Sequence, residues 1–154
     1  MLFRGKNKHF HQRVCHTLVD NKRDIMPADI FRRISDFSNA ILKMDIEGSE
    51  YSVIPDLLKF SNKVDLMIIE FHDTNGLRSL FEEQVNAIRE SFNIVHLHGN
   101  NYAGIASDGL PVVLEITFLN KRFTTTENFR STLPLIGLDF PNDPTKPDFI
   151  IHLE

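Results

Sequence analysis

The chain has 154 residues, 42% of them apolar and 25% charged, which is about one domain's length and close to the globular average. That composition excludes wholesale disorder, a collagen repeat and a coiled coil, and a single cysteine excludes a disulfide framework or a cysteine-rich zinc module. The formal net charge of −4 argues against nucleic acid as the main partner.

Residues 1–26 read as a basic N-terminal arm. Arg4, Lys6, Lys8, Arg13, Lys22 and Arg23 outnumber Asp20 and Asp24, and His9, His11 and His16 lie among them. A phosphate-binding patch and a solvated terminus are both open readings of this segment. Its opening, Met-Leu-Phe-Arg-Gly-Lys, lacks the apolar stretch of a secretory signal, and Cys15 has no activating neighbours. A reducing, cytoplasmic location is expected.

Pro27 suits the first position of a helix whose apolar face is Ile30, Phe31, Ile34 and Phe37, closing at Asn39. Ala40 to Ile46 reads as a short buried strand that reaches Asp45. Glu47-Gly48-Ser49-Glu50 turns the chain into a helix through Tyr51, Val53 and Ile54, which Pro55 should kink or restart. Val64 to Phe71 is a second buried strand; the longest apolar runs are only a few residues, as in Leu66-Met67-Ile68-Ile69 here, so nothing spans a bilayer and no membrane partner is expected. Leu77, Leu80, Phe81, Val85, Ile88 and Phe92 then form the best amphipathic helix of the chain.

Asn93 to Leu97 is a third strand and Val112 to Leu119 a fourth. Strands alternating with helices predict parallel pairing through right-handed crossovers. The helix-free loop before the fourth strand predicts an antiparallel neighbour there. Pro134, Pro141, Pro144 and Pro147 forbid a long helix in residues 122–154, which read as an extended strap ending in a strand at Phe149-Ile150-Ile151.

In an open parallel sheet ligands bind outside the carboxyl ends of the strands. Here the first strand end supplies Asp45, Glu47 and Glu50, the second Glu70, His72 and Asp73, and the third His96, His98, Asn100 and Asn101. Side by side, at ~4.8 Å between strands, these groups should share one rim. Such a rim can supply a general base or ligands for a divalent cation. Simpler readings stay open. Asp45 can cap the following helix, with Glu47 and Glu50 near its positive end. His96 and His98 can be hydrogen-bonded core histidines. Glu70, inside an apolar strand, requires a partner, whereas Glu115 is explained by an outward-facing edge position.

The run Ile41-Leu42-Lys43-Met44-Asp45-Ile46-Glu47-Gly48-Ser49-Glu50-Tyr51 resembles the signature of the FkbM family of S-adenosylmethionine-dependent methyltransferases. That signature is a hydrophobic strand with lysine, then Asp-(Val/Ile)-Glu-Gly-(Ala/Ser)-Glu and an aromatic residue. The strand ending in Glu70, the long helix and the strand Val113-Leu114-Glu115-Ile116-Thr117-Phe118 also resemble that family's C-terminal half, so the likeness spans residues 27–121. The resemblance implies an α/β, Rossmann-like class I methyltransferase fold, a seven-stranded, mostly parallel sheet whose last strand is inserted antiparallel. It further implies methyl transfer from S-adenosylmethionine to an oxygen of a small molecule or sugar. On this reading Asp45, Glu47, Glu70 and His72 are the catalytic candidates, and Asp45 also meets the cofactor. Glu50, His96, His98, Asn100 and Asn101 are the substrate-binding candidates, and no metal is expected.

The family's first half carries a glycine-rich turn that grips the cofactor, and this chain has no Gly-x-Gly. The sheet is therefore expected to lack the N-terminal cofactor-binding strands, with a homo-oligomer as one cover for its open edge. Two other functions compete. One is a non-catalytic α/β binding or interaction domain derived from this fold. The other is a metal-assisted hydrolase using Asp45, Glu70, His72, His96 and His98.

Overall fold

The computed structural model describes residues 13–14, 24–33, 39–123 and 131–153. Most of the expected basic arm, with Cys15 and His9, His11 and His16, lies outside the described residues, as do Ile34 and Phe37 of the first predicted helix. Within the arm segment, β1 (Arg13–Val14) and β2 (Asp24–Ile25) pair in parallel. Helix α1 (Pro27–Arg33) follows, starting on its proline, and turns Phe31 inward to stack on Phe60 at 4.6 Å between ring centroids.

The main sheet has four strands: β3 (Ala40–Met44), β4 (Val64–Phe71), β5 (Phe92–Gly99) and β6 (Leu114–Asn120). Their spatial order is β3-β4-β6-β5. β3 and β4 are parallel, and β6 is antiparallel to both β4 and β5. Three strands thus run one way and the last runs against them. β6 is inserted antiparallel between β4 and β5, as the family resemblance implies for the last strand, so the third strand does not lie beside the second. A helix-free connection lets β6 hairpin back onto β5, and this takes up the position next to β4.

Helices α2 (Glu50–Leu58) and α3 (Arg78–Arg89) make the crossovers. Pro55 does not restart α2. It lies inside one continuous helix on the exposed side, where its missing N–H leaves only the Tyr51 carbonyl without its helical donor. Helix α3 ends earlier than its apolar period suggested, because Phe92 opens β5.

Met67, Ile69 and Phe71 of β4 alternate inward with Leu114, Ile116 and Phe118 of β6, against Val53, Ile54, Phe81 and Ile88 of the helices. Phe71 is the hub of this core, edge-on to Phe81 at 5.2 Å and to Phe118 at 6.5 Å. The opposite face carries the residues of alternate parity: Lys43, Glu70, Glu115, His96 and His98. Glu70, Glu115 and His98 are register partners in one row across three strands.

The strap is extended, as its prolines require. Its strands β7 (Thr132–Leu133) and β8 (Ile151–His152) pair antiparallel and close it on itself. Among the described residues no helix is long and apolar enough to cross a membrane.

Candidate active site

The polar centre forms where β3 and β4 end and α2 begins. Glu47 and Gly48 take successive left-handed backbone conformations, φ 54° and 95°. Glycine adopts this region freely, whereas a residue with a Cβ incurs a cost of order 1 kcal/mol. The turn folds the Glu47 side chain back toward the end of β4.

Glu50, the first residue of α2, is fully buried. Its Oε1 accepts the backbone N–H groups of Ile46 (3.1 Å) and Gly48 (3.2 Å) and lies 3.1 Å from Nδ1 of His72. Its Oε2 is buried with no hydrogen-bond partner. The next residue holds the same histidine from its backbone: the Tyr51 hydroxyl donates to the His72 carbonyl at 2.6 Å. Burial, reinforced by the nearby carboxylates of Glu50 and Asp73, pushes the Tyr51 phenol well above its ordinary value, so it stays a donor.

A carboxylate only accepts, so the contact with Glu50 puts a proton on Nδ1 and turns Nε2 of His72 outward. It lies 3.3 Å from Glu47 Oε2 and 3.9 Å from Asp45 Oδ1. Asp45, Glu47 and His72 each bring one ligand-type atom to within 4.8 Å of the others. His72 is largely enclosed, whereas Glu47 is 85% exposed and reaches in from solvent. The arrangement can take a proton from an incoming hydroxyl, balance a positive charge, or hold a cation.

The other predicted residues lie elsewhere on the rim. Glu70 accepts the Asn100 side-chain amide at 2.7 Å, which is the partner that an acid in an apolar strand needs. Glu115 is not at a sheet edge. It sits on an inner strand, directly opposite Glu70, and Lys43 Nζ reaches across β4 to it at 2.8 Å. That bond is the main reason the Lys43 ammonium is held above its ordinary value.

His96, His98 and Asn101 are engaged by the strap. His96 Nε2 meets Asp139 Oδ1 at 2.9 Å and His98 Nε2 meets Asp148 Oδ2 at 3.0 Å. Asn101 is buried, accepts the Asp143 N–H at 2.6 Å and donates to the Asp143 carbonyl at 3.0 Å. The expected common rim is therefore two clusters. Asp45, Glu47, Glu50 and His72 come together, while the inserted β6 sets the β5 histidines two strand spacings from β4, roughly 10 Å. Sequence reasoning missed Asp139 and Asp148, and each carries a weak signal as an acid in an otherwise apolar or proline-flanked strap.

A family model described as Methyltransferase FkbM domain matches residues 6–102, more than half of the chain. The match begins inside the basic segment, includes β1 to β5, and stops before β6 and the strap. Comparison with curated proteins and with solved structures returns no match. With the Asp-Ile-Glu-Gly-Ser-Glu turn at the centre of the polar cluster, the match assigns the chain to the FkbM methyltransferase domain family.

Proposed function

We propose that this chain transfers a methyl group from S-adenosylmethionine to an oxygen of a small molecule or sugar, on a class I methyltransferase sheet. The single observation that carries the reading is the Glu50–His72–Asp45/Glu47 cluster at the carboxyl ends of two adjacent parallel strands. The order β3-β4-β6-β5, with the last strand antiparallel and inserted, agrees with the sheet that the family resemblance implies.

S-adenosylmethionine, when bound, supplies an electrophilic methyl on a sulfonium. The donor set suits that charge: three carboxylates surround one imidazole, and Asp45 and Glu47 are those open to a ligand. The chain's own residues do the rest. Glu50 fixes the tautomer and the ring plane of His72. Nε2 then accepts the proton of an acceptor hydroxyl as its oxygen becomes nucleophilic. Asp45 and Glu47 stabilise the imidazolium so formed, and their position orients the acceptor.

Tritiated-methyl transfer to a panel of polyol and sugar acceptors tests this directly. His72→Gln should lower the rate by about 10²–10⁴-fold, the usual contribution of a positioned base. Transfer by this variant at the wild-type rate would contradict the role of His72.

A further inference from the structure

We infer that Asp45, Glu47 and His72 form a binding site for one divalent transition-metal ion. Nε2 of His72, Oδ1 of Asp45 and Oε2 of Glu47 lie within 4.8 Å of one another. Metal–ligand bonds of about 2.1 Å place such atoms roughly 3.0–3.5 Å apart around a shared ion. Closing the remaining gap requires only small rotations of the two exposed carboxylates.

Two further observations separate this cluster from an ordinary solvated group of acids. The histidine is prepared as a ligand: its far nitrogen is held by a buried carboxylate, Glu50, at 3.1 Å, which turns the near nitrogen toward the two open carboxylates. A carboxylate behind a ligating imidazole fixes the ring and raises its basicity. In addition, Glu50 Oε2 is buried and unpartnered, since the three donors that reach this carboxylate all meet its other oxygen. Lys43, whose charge is felt by Asp45, is bonded to Glu115. The excess negative charge beside His72 is thus matched best by a small cation.

One imidazole and two carboxylates suit manganese, iron or zinc better than magnesium or calcium, which prefer all-oxygen sites. Three protein ligands also leave coordination positions open to a hydroxyl or water. Cation and proton compete for the same Nε2, so His72 acting as a base corresponds to the metal-free state of the site. Cation binding itself does not depend on methyl transfer.

Titration of the chelator-stripped full chain with Mn²⁺, followed by loss of the free-ion electron paramagnetic resonance signal, provides the test. One ion should bind per chain. The doubly substituted Asp45→Asn, Glu47→Gln protein changes two exposed side chains and should keep its circular dichroism spectrum while losing at least about tenfold in affinity. Glu50→Gln retains all three ligands and should still lose about 10–100-fold, because only the support of His72 is altered. Absence of binding at millimolar Mn²⁺, or equal binding by the double variant, overturns the assignment; the second result would trace binding to other groups, such as the N-terminal histidines. Neither result bears on the methyl-transfer assay, so the two proposals fail separately.

Discussion

The organising residue of the centre is Glu50, and its importance comes from position. As the first residue of α2 it gathers two backbone N–H groups and the His72 ring onto one oxygen, while Tyr51 beside it holds the His72 carbonyl. Two successive residues of one helical turn thus fix the side chain and the main chain of the same histidine. Tyr51→Phe should cost about 1 kcal/mol, the usual net value of one hydrogen bond, measured by urea denaturation at neutral pH. The variant should also change the alkaline limb of the stability curve. Because the folded state raises the Tyr51 phenol above 10.0, its contribution is complete below pH 10 and is lost as the pH rises further. Lys43, raised above 10.5 mainly by its bond to Glu115, acts in the same direction. Stability should therefore fall above about pH 10, less steeply in Tyr51→Phe; an unchanged alkaline limb in that variant would contradict the assignment. At this scale the sequence was informative about Asp45, Glu47 and His72, since a short polar turn after a buried strand marks a rim. It placed Glu50 in the same cluster but as a substrate ligand rather than a buried support, because burial of a carboxylate depends on how the turn folds over it.

At the scale of elements, the strap and β5 form one unit. Asp139 and Asp148 hold the two β5 histidines, and Asn101 bridges from the loop after β5 to Asp143. Asp143 is in turn held below its ordinary carboxylate value, chiefly by the Thr145 hydroxyl at 2.6 Å. Asn101→Ala leaves the Asp143 N–H without its acceptor and should cost about 1–3 kcal/mol. Limited proteolysis between residues 131 and 153 should then become faster; protection equal to wild type would contradict the anchoring role of Asn101. The acid limb follows from the depressed Asp143 value: its stabilising contribution is present above pH 3.8 and is lost as the pH falls below. The strap's extended form was legible from its four prolines, and the strands and helices from their periods. The partners of His96 and His98 were not. They lie 43 and 50 residues downstream, and no local pattern encodes which strand a loop will return beside.

For the molecule as a whole, the sheet order decides which polar residues meet. The insertion of β6 places Glu115 on an inner strand, opposite Glu70, and divides the polar residues into a cluster at Asp45–His72 and a strap-bound cluster on β5. Strand directions were readable from connection lengths, because a parallel return needs a crossover helix and an antiparallel one does not. Spatial order is set by packing among distant elements, so periods and connection lengths did not carry it; only the family resemblance implied the inserted last strand. What survives as the centre is the family turn, Asp45 to Glu50, together with the histidine that it surrounds. Isothermal titration of the full chain with S-adenosylmethionine and S-adenosylhomocysteine tests this most directly. Saturable one-to-one heat is expected for wild type, with the open carboxylates of Asp45 and Glu47 gripping the sulfonium in place of the missing glycine-rich turn. Weaker binding is expected for Asp45→Ala, whose side chain is exposed. Absence of heat at millimolar cofactor, or identical binding by the two proteins, would contradict this reading.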